Sequence, residues 1–194
     1  MTVDRWFPTV VWTFDLAHRA QSDAKIVANI YRMRTESAGV VKSNEGGWQS
    51  NDDLGSRPEM QELIFDISQC VDRAARSMDW NPMDLAMQIM WANVNTPGAR
   101  NRTHYHSGAV LSGVYWLEAP ENSGDLSIVD PRAVREMVVE PPTVGDGTAD
   151  TWREVLYSPT AHTLVLFPAW LGHHVGVNNS AENRVSVAFN FALR

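Results

Sequence analysis

Apolar residues recur at helical spacing along the first part of the chain and at strand spacing along the rest. Between Ser22 and Arg34, the residues Ile26, Val27, Ile30 and Tyr31 share one face, which predicts a helix with Ser22 as its N-cap. A second stripe, Leu63, Ile64, Ile67, Val71, Ala74, Ala75 and Met78, predicts another helix. Pro58 is placed to open it, since the first helical position needs no N–H donor. Trp6 to Phe14 is rich in β-branched and aromatic residues and predicts a first strand. Gly46, Gly47, Asn51, Asp52, Asp53 and Gly55 mark an irregular loop. Further strands are predicted at Ala86–Val94, Val110–Leu117, Asp125–Val129, Glu154–Tyr157, Thr163–Phe167 and Arg184–Leu193, with an exposed loop around Pro141, Pro142, Gly145, Asp146 and Gly147. Helices followed by many strands predict a mainly β architecture, a sandwich or barrel backed by helices, and the second helical stripe needs that strand-rich half as its apolar partner.

The length of 194 residues predicts one domain, 1–194, with helical support mainly in 1–85 and the β core mainly in 86–194. The net charge of −7 argues against broad nucleic-acid binding through phosphate neutralisation. No apolar run approaches the roughly 20 residues that span a bilayer. Residues Met1 to Pro8 lack the pattern of a signal peptide, so a soluble, cytoplasmic protein without membrane attachment is expected. Cys70 is the single cysteine, which leaves no internal disulfide and no multi-thiolate zinc site; its helical apolar setting makes it core filler. Eight tryptophans either pack the core or line a cleft.

Four of the six histidines fall in two tight groups, Asn101-Arg102-Thr103-His104-Tyr105-His106 and Leu171-Gly172-His173-His174-Val175. On an extended segment His104 and His106 face the same side and can reach one metal ion. His173 can complete a three-ligand face from a distant strand, leaving coordination positions open for substrates. His174, adjacent to His173, points the other way. His18 and His162 have no partner pattern and read as structural or surface groups.

The last strand adds a second feature. Arg184, Ser186, Ala188 and Asn190 alternate with Val185, Val187, Phe189 and Phe191. The apolar face must pack against helices or another sheet, so the other face looks inward. An interior arginine is costly without a partner, and a buried dicarboxylate matches its guanidinium fork; the alternative is a surface strand with a solvated Arg184.

These residues resemble the 2-oxoglutarate/Fe(II)-dependent oxygenase superfamily, in outline a bacterial and phage branch similar to prolyl-hydroxylase-like enzymes. The resemblance rests on His104-Tyr105-His106, Leu111 to Leu117, Asn122 to Leu126, Asp130-Pro131-Arg132, Phe167 to His173 and Arg184-Val185-Ser186, and covers most of residues 91–191. It implies a double-stranded β-helix core, the jelly-roll or cupin-like arrangement, forming one oxygenase domain with Fe(II) as cofactor and 2-oxoglutarate as co-substrate. It implies His104 as proximal and His173 as distal metal ligand, Arg184 as the grip on the far carboxylate of 2-oxoglutarate, Ser186 as its support, and Tyr115 or Trp116 in the same pocket. The family's usual metal carboxylate is replaced here by His106; either His106 is the third ligand, or water or a nearby acid such as Asp130 completes the set. Asn93, Asn95 and Asn101 line the cleft or serve local hydrogen bonds. The implied activity is hydroxylation of an unactivated C–H bond of a small-molecule or peptidyl substrate, using dioxygen and releasing succinate and CO2. Two other readings stand beside it: a cupin-type three-histidine dioxygenase without 2-oxoglutarate, and a non-catalytic binding module on the same fold. Substrate contacts are expected from the loops at 42–57 and 141–152. Substrate identity and oligomeric state are not readable from the chain.

Overall fold

The alternation read at the C-terminus builds the centre of the molecule. The computed structural model describes residues 1–194 apart from the Ala133 side chain. In chain order the elements are β1 (Trp12–Asp15), α1 (Ala20–Glu36), β2 (Asn44–Glu45), β3 (Trp48–Gln49), α2 (Gln61–Ser77), β4 (Leu85–Asn95), β5 (Arg100–His104), β6 (Leu111–Glu118), β7 (Leu126–Val129), β8 (Glu154–Tyr157), β9 (Thr163–Pro168), β10 (His173–Val175) and β11 (Arg184–Leu193). A six-stranded sheet has the order β1-β9-β6-β11-β4-β3, and a five-stranded sheet has the order β2-β5-β10-β7-β8. The named pairings are antiparallel. From β4 to β7 and from β8 to β11 successive strands cross from one sheet to the other, which is the expected double-stranded β-helix.

The two faces of β11 separate the layers as expected. Val185, Val187 and Phe189 are fully buried with Leu63, Ile67, Val71, Ala74 and Ala75 of α2 and Ile26 and Ile30 of α1 in one apolar cluster. Cys70 belongs to the same cluster, and burial pushes its thiol up to about 11, so it stays protonated. Gly113 on β6 lies opposite Phe189, where a Cβ would stand 2.4 Å from the ring, so only glycine leaves room for it. A smaller cluster of Trp116, Leu126, Ile128, Val165, Phe167 and Leu171 lies between the sheets. Among the described residues no helix is long and apolar enough to cross a membrane.

Three boundaries differ from expectation. The first strand is confined to Trp12–Asp15, whereas Trp6 and Phe7 are exposed and Phe7 has φ +60°. Pro8 interrupts the run because it has no N–H for a sheet ladder. Ser22 is not the cap of α1: the helix starts at Ala20, and the Ser22 hydroxyl donates to the Arg19 carbonyl. The loop expected around 46–55 contains β3, and β2 lies just before it; each is only two residues long.

A buried polar knot joins the helices to the outer face of the large sheet. Asp23 on α1 is 1% exposed and accepts from Arg19 Nε at 3.1 Å and from the Tyr115 hydroxyl at 2.5 Å. Its Oδ2 also lies 2.8 Å from His162 Nδ1, and Arg19 reaches on to Asp66 of α2 at 2.7 Å. Burial and the adjoining carboxylate push the Tyr115 phenol upward. The knot places His162 in a structural role, and His18 sits exposed beside Asp66 at 3.4 Å. Asp23→Ala is expected to lower unfolding free energy by about 2–4 kcal/mol, because Arg19 keeps only Asp66 and the Tyr115 hydroxyl and His162 lose their acceptor. Denaturant titration followed by tryptophan fluorescence measures this, and a loss below 1 kcal/mol would show the knot to be dispensable.

Candidate metal centre

His104 ends β5 and His173 begins β10, and the two are paired in register. The chain then turns out of the ladder, with the His106 N–H donating to the Ala169 carbonyl at 3.2 Å, so His106 returns to the same point. Ring centroids are 4.2 Å apart for His104 and His173, and 5.0 Å for each of the other two pairs. One potential ligand atom from each ring lies within 4.8 Å of the others. His106 Nε2 and His173 Nε2 stand 3.2 Å apart.

Backbone carbonyls orient two of the rings. His104 Nδ1 is 2.7 Å from the Arg102 carbonyl, and His173 Nδ1 is 2.9 Å from the Leu171 carbonyl. An Nδ1–H donated to a carbonyl leaves Nε2 as the lone-pair nitrogen, the arrangement found behind metal-bound imidazoles. Burial disfavours the charged ring in all three: it lowers His104, holds His106 at about 4 and holds His173 at about 3. Neighbouring imidazoles add to the shift in His106 and His173. All three are therefore neutral at neutral pH, as ligands must be. Trp91 lies 5.6 Å from the His106 ring and Phe167 4.7 Å from the His173 ring, giving the cluster dry walls. The donor set fits a borderline divalent transition metal with open positions.

The histidines open onto a cavity of about 440 Å³ between the sheets. Arg184 lines it, 2% exposed. Its Nη1 donates to the Ser123 carbonyl at 2.5 Å and the Gly124 carbonyl at 2.8 Å. Gly124 has φ +91°, and a Cβ there would meet the Gly176 carbonyl oxygen at 2.3 Å, so the turn that braces the arginine requires glycine. Burial lowers Arg184 to about 10, with Asp125 opposing, so it remains a cation at neutral pH. Among the described residues no carboxylate stands within 4.0 Å of it. A buried cation held only by carbonyls fits an anionic ligand.

Ser186 and Trp116 line the same cavity and are opposite one another in the β6–β11 register. Tyr115 is the correction: its side chain lies in the helix-facing cluster, bonded to Asp23, because neighbouring strand residues point to opposite faces. Asp130 is likewise no ligand. It is bound by Arg132 at 2.8 Å and Arg135 at 2.5 Å; these outweigh burial and hold it at about 2. His174 points away, 3.9 Å from Glu154. Asn93, Asn95 and Asn101 all line the cavity. Asn95 donates to Asn101 at 3.1 Å and Asn101 to Ser43 at 3.3 Å, whereas the buried Asn93 Oδ1 has no partner. Of the two loops expected to meet substrate, 42–57 contributes Lys42, Ser43, Gln49 and Asp52 to the lining, and 141–152 contributes nothing among the described residues. Trp91 and Ile89 were missed in the sequence, although they share the inward face of β4 with Asn93 and Asn95.

Comparison with known proteins gives this arrangement its family. A family described as "Putative 2OG-Fe(II) oxygenase" matches residues 89–190, more than half of the chain. None of the curated proteins matches. A prolyl-4-hydroxylase of Pseudomonas putida has a similar structure, with TM-score 0.68, 17% identity and coverage of 96% of this chain and 94% of that one. The epimerase SnoN from nogalamycin biosynthesis, solved with Fe3+, alpha ketoglutarate and nogalamycin RO, gives 0.71 at 15% identity over 95% and 79%. HygX of Streptomyces hygroscopicus, solved with nickel and 2-oxoglutarate, gives 0.62 at 14% over 95% and 83%. Such identities carry the fold, and the family match carries the rest: the chain belongs to the 2-oxoglutarate/Fe(II) oxygenases.

Proposed function

We propose that His104, His106 and His173 hold Fe(II), that Arg184 with Ser186 and Trp116 seats 2-oxoglutarate, and that the enzyme is a dioxygenase hydroxylating an unactivated C–H bond of a small-molecule or peptidyl substrate. The observation that carries this is the convergence of three neutral imidazoles and one buried guanidinium, lacking a carboxylate partner, on a single cavity. Fe(II) with 2-oxoglutarate and dioxygen supplies the oxidation, leaving succinate and CO2. The chain's own residues do the rest. The Arg102 and Leu171 carbonyls orient two imidazoles, and burial keeps all three unprotonated. Arg184 offers a planar fork to a carboxylate and fixes the co-substrate in one direction. Trp91, Phe167 and Trp116 keep bulk water from the reacting centre.

The lack of a carboxylate among the three ligands favours a second reading, a three-histidine dioxygenase that does not use 2-oxoglutarate. Three imidazoles leave the metal's charge uncompensated, which the dianion of 2-oxoglutarate would offset. Succinate formation separates the readings. Purified protein supplied with Fe(II), 2-oxoglutarate and oxygen is expected to release succinate above a metal-free control. Oxygen consumption with 2-oxoglutarate left intact would reject the co-substrate assignment.

A further inference from the structure

The charged side chains lining the cavity include three that the metal and co-substrate do not use: Lys42, Asp52 and Arg102. Arg102 is committed elsewhere, 3.3 Å from Glu45 and donating to the Lys42 carbonyl at 3.0 Å. Lys42 and Asp52 remain, joined to each other at 2.5 Å. We propose that this pair is the substrate-recognition subsite and that it selects a small zwitterion, a free α-amino acid, taking the ammonium at Asp52 and the carboxylate at Lys42. The proposal rests on the oxygenase reading above.

Position separates the pair from the co-substrate end. The Asp52 carbonyl accepts from Met90 N on β4, whereas Arg184 is in register with Asn95 on the same strand. Five residues of strand span about 17 Å. Proximity to the metal runs through Trp91, which follows Met90 and lies 5.6 Å from the His106 ring. Ile89 and Trp91 give the same cavity an apolar wall, suited to the side chain of the bound molecule. A cavity of about 440 Å³ is in the range of small-molecule sites.

Charge arithmetic gives the substrate class. Lys42 and Asp52 close on each other, and Asp52 Oδ1 is left with no donor. An anionic substrate drawn to Lys42 alone, or a cationic one drawn to Asp52 alone, would break the existing ion pair and make only one in its place. A zwitterion entering between them exchanges one ion pair for two. Both residues are held from behind, so the spacing is built in. Lys42 N–H donates to Asn44 Oδ1 at 2.8 Å, and the Asp52 carbonyl accepts from Met90 N–H on β4 at 3.1 Å.

Calorimetry on the full chain tests this in sequence. Mn(II), standing in for Fe(II), and 2-oxoglutarate are titrated first, and then each of the twenty L-amino acids and its N-acetyl amide. At least one free amino acid should bind and also raise succinate release by the Fe(II) enzyme. Its capped form should bind about tenfold more weakly or worse, having lost both charges. Asp52→Asn and Lys42→Met should each weaken the free amino acid by about tenfold as well. The capped-ligand arm stands even where a variant fails to fold. Equal binding of capped and free forms, which would point to a peptide, overturns the proposal. So does binding of none of the twenty while metal and 2-oxoglutarate bind, or unchanged affinity in either folded variant. Failure of metal or 2-oxoglutarate to bind overturns the oxygenase reading, and this proposal with it.

Discussion

His173→Ala should bind Fe(II) or Mn(II) at least about 100-fold more weakly than the parent, and succinate release should disappear with it. Partners behind a ligand already cost 10- to 100-fold when lost, so the ligand itself must exceed that. His173 touches both other rings, with its centroid 4.2 Å from His104 and its Nε2 3.2 Å from His106 Nε2. Without it two imidazoles remain, on a five-residue strand end and the turn beyond it. Proton competition does not confuse the experiment at neutral pH. Burial places the folded values of His106 and His173 at about 4 and about 3, well below an ordinary imidazole, so both rings are already unprotonated at pH 7. Metal titration at pH 7 with circular dichroism as the fold control is the measurement. Parent-like affinity in a folded His173→Ala protein would place the metal elsewhere.

Regular alternation explains how much of the molecule was legible beforehand. The ten residues of β11 alternate cleanly, and both its bounds and its two faces follow from Arg184 to Leu193. The stripe of α2 is equally plain, because six of its residues are buried on one side. The histidine groups were visible as chemistry even though their strands were too short to show a period: β10 has three residues. Register is what a single chain withholds. Whether Tyr115 or Trp116 faces the cavity depends on the pairing of β6 with β11, and a bulge between Val185 and Ser186 shifts that pairing by one residue. Ser186 meets Trp116 beyond the bulge, which turns Tyr115 toward Asp23. β2 and β3 are shorter than any alternation signal, so the sequence pointed to the loop 42–57 as a whole and not to Lys42 and Asp52 within it. Trp6 and Phe7 show the opposite failure, strand-forming side chains on a backbone that finds no neighbouring strand.

Arg184→Ala should leave metal affinity within a few-fold of the parent and weaken 2-oxoglutarate by about 30-fold or more. Truncating one partner of a buried charged pair costs about 2–5 kcal/mol, and each 1.4 kcal/mol is about tenfold. The side chain also braces the fold through the Ser123 and Gly124 carbonyls, so the variant should lose about 1–3 kcal/mol of stability as those acceptors go unpaired. A purely structural role would show that stability loss and nothing more. Arg184→Lys separates the two functions: it keeps a cation near the carboxylate but not the planar fork. Its 2-oxoglutarate affinity should therefore fall between parent and alanine, with metal binding unchanged. The decisive readout is the split between two titrations on one protein, metal first and 2-oxoglutarate second. If Arg184→Ala folds, binds metal and takes up 2-oxoglutarate as the parent does, the guanidinium is only a brace for the 123–124 turn, and the co-substrate lies along another wall of the cavity.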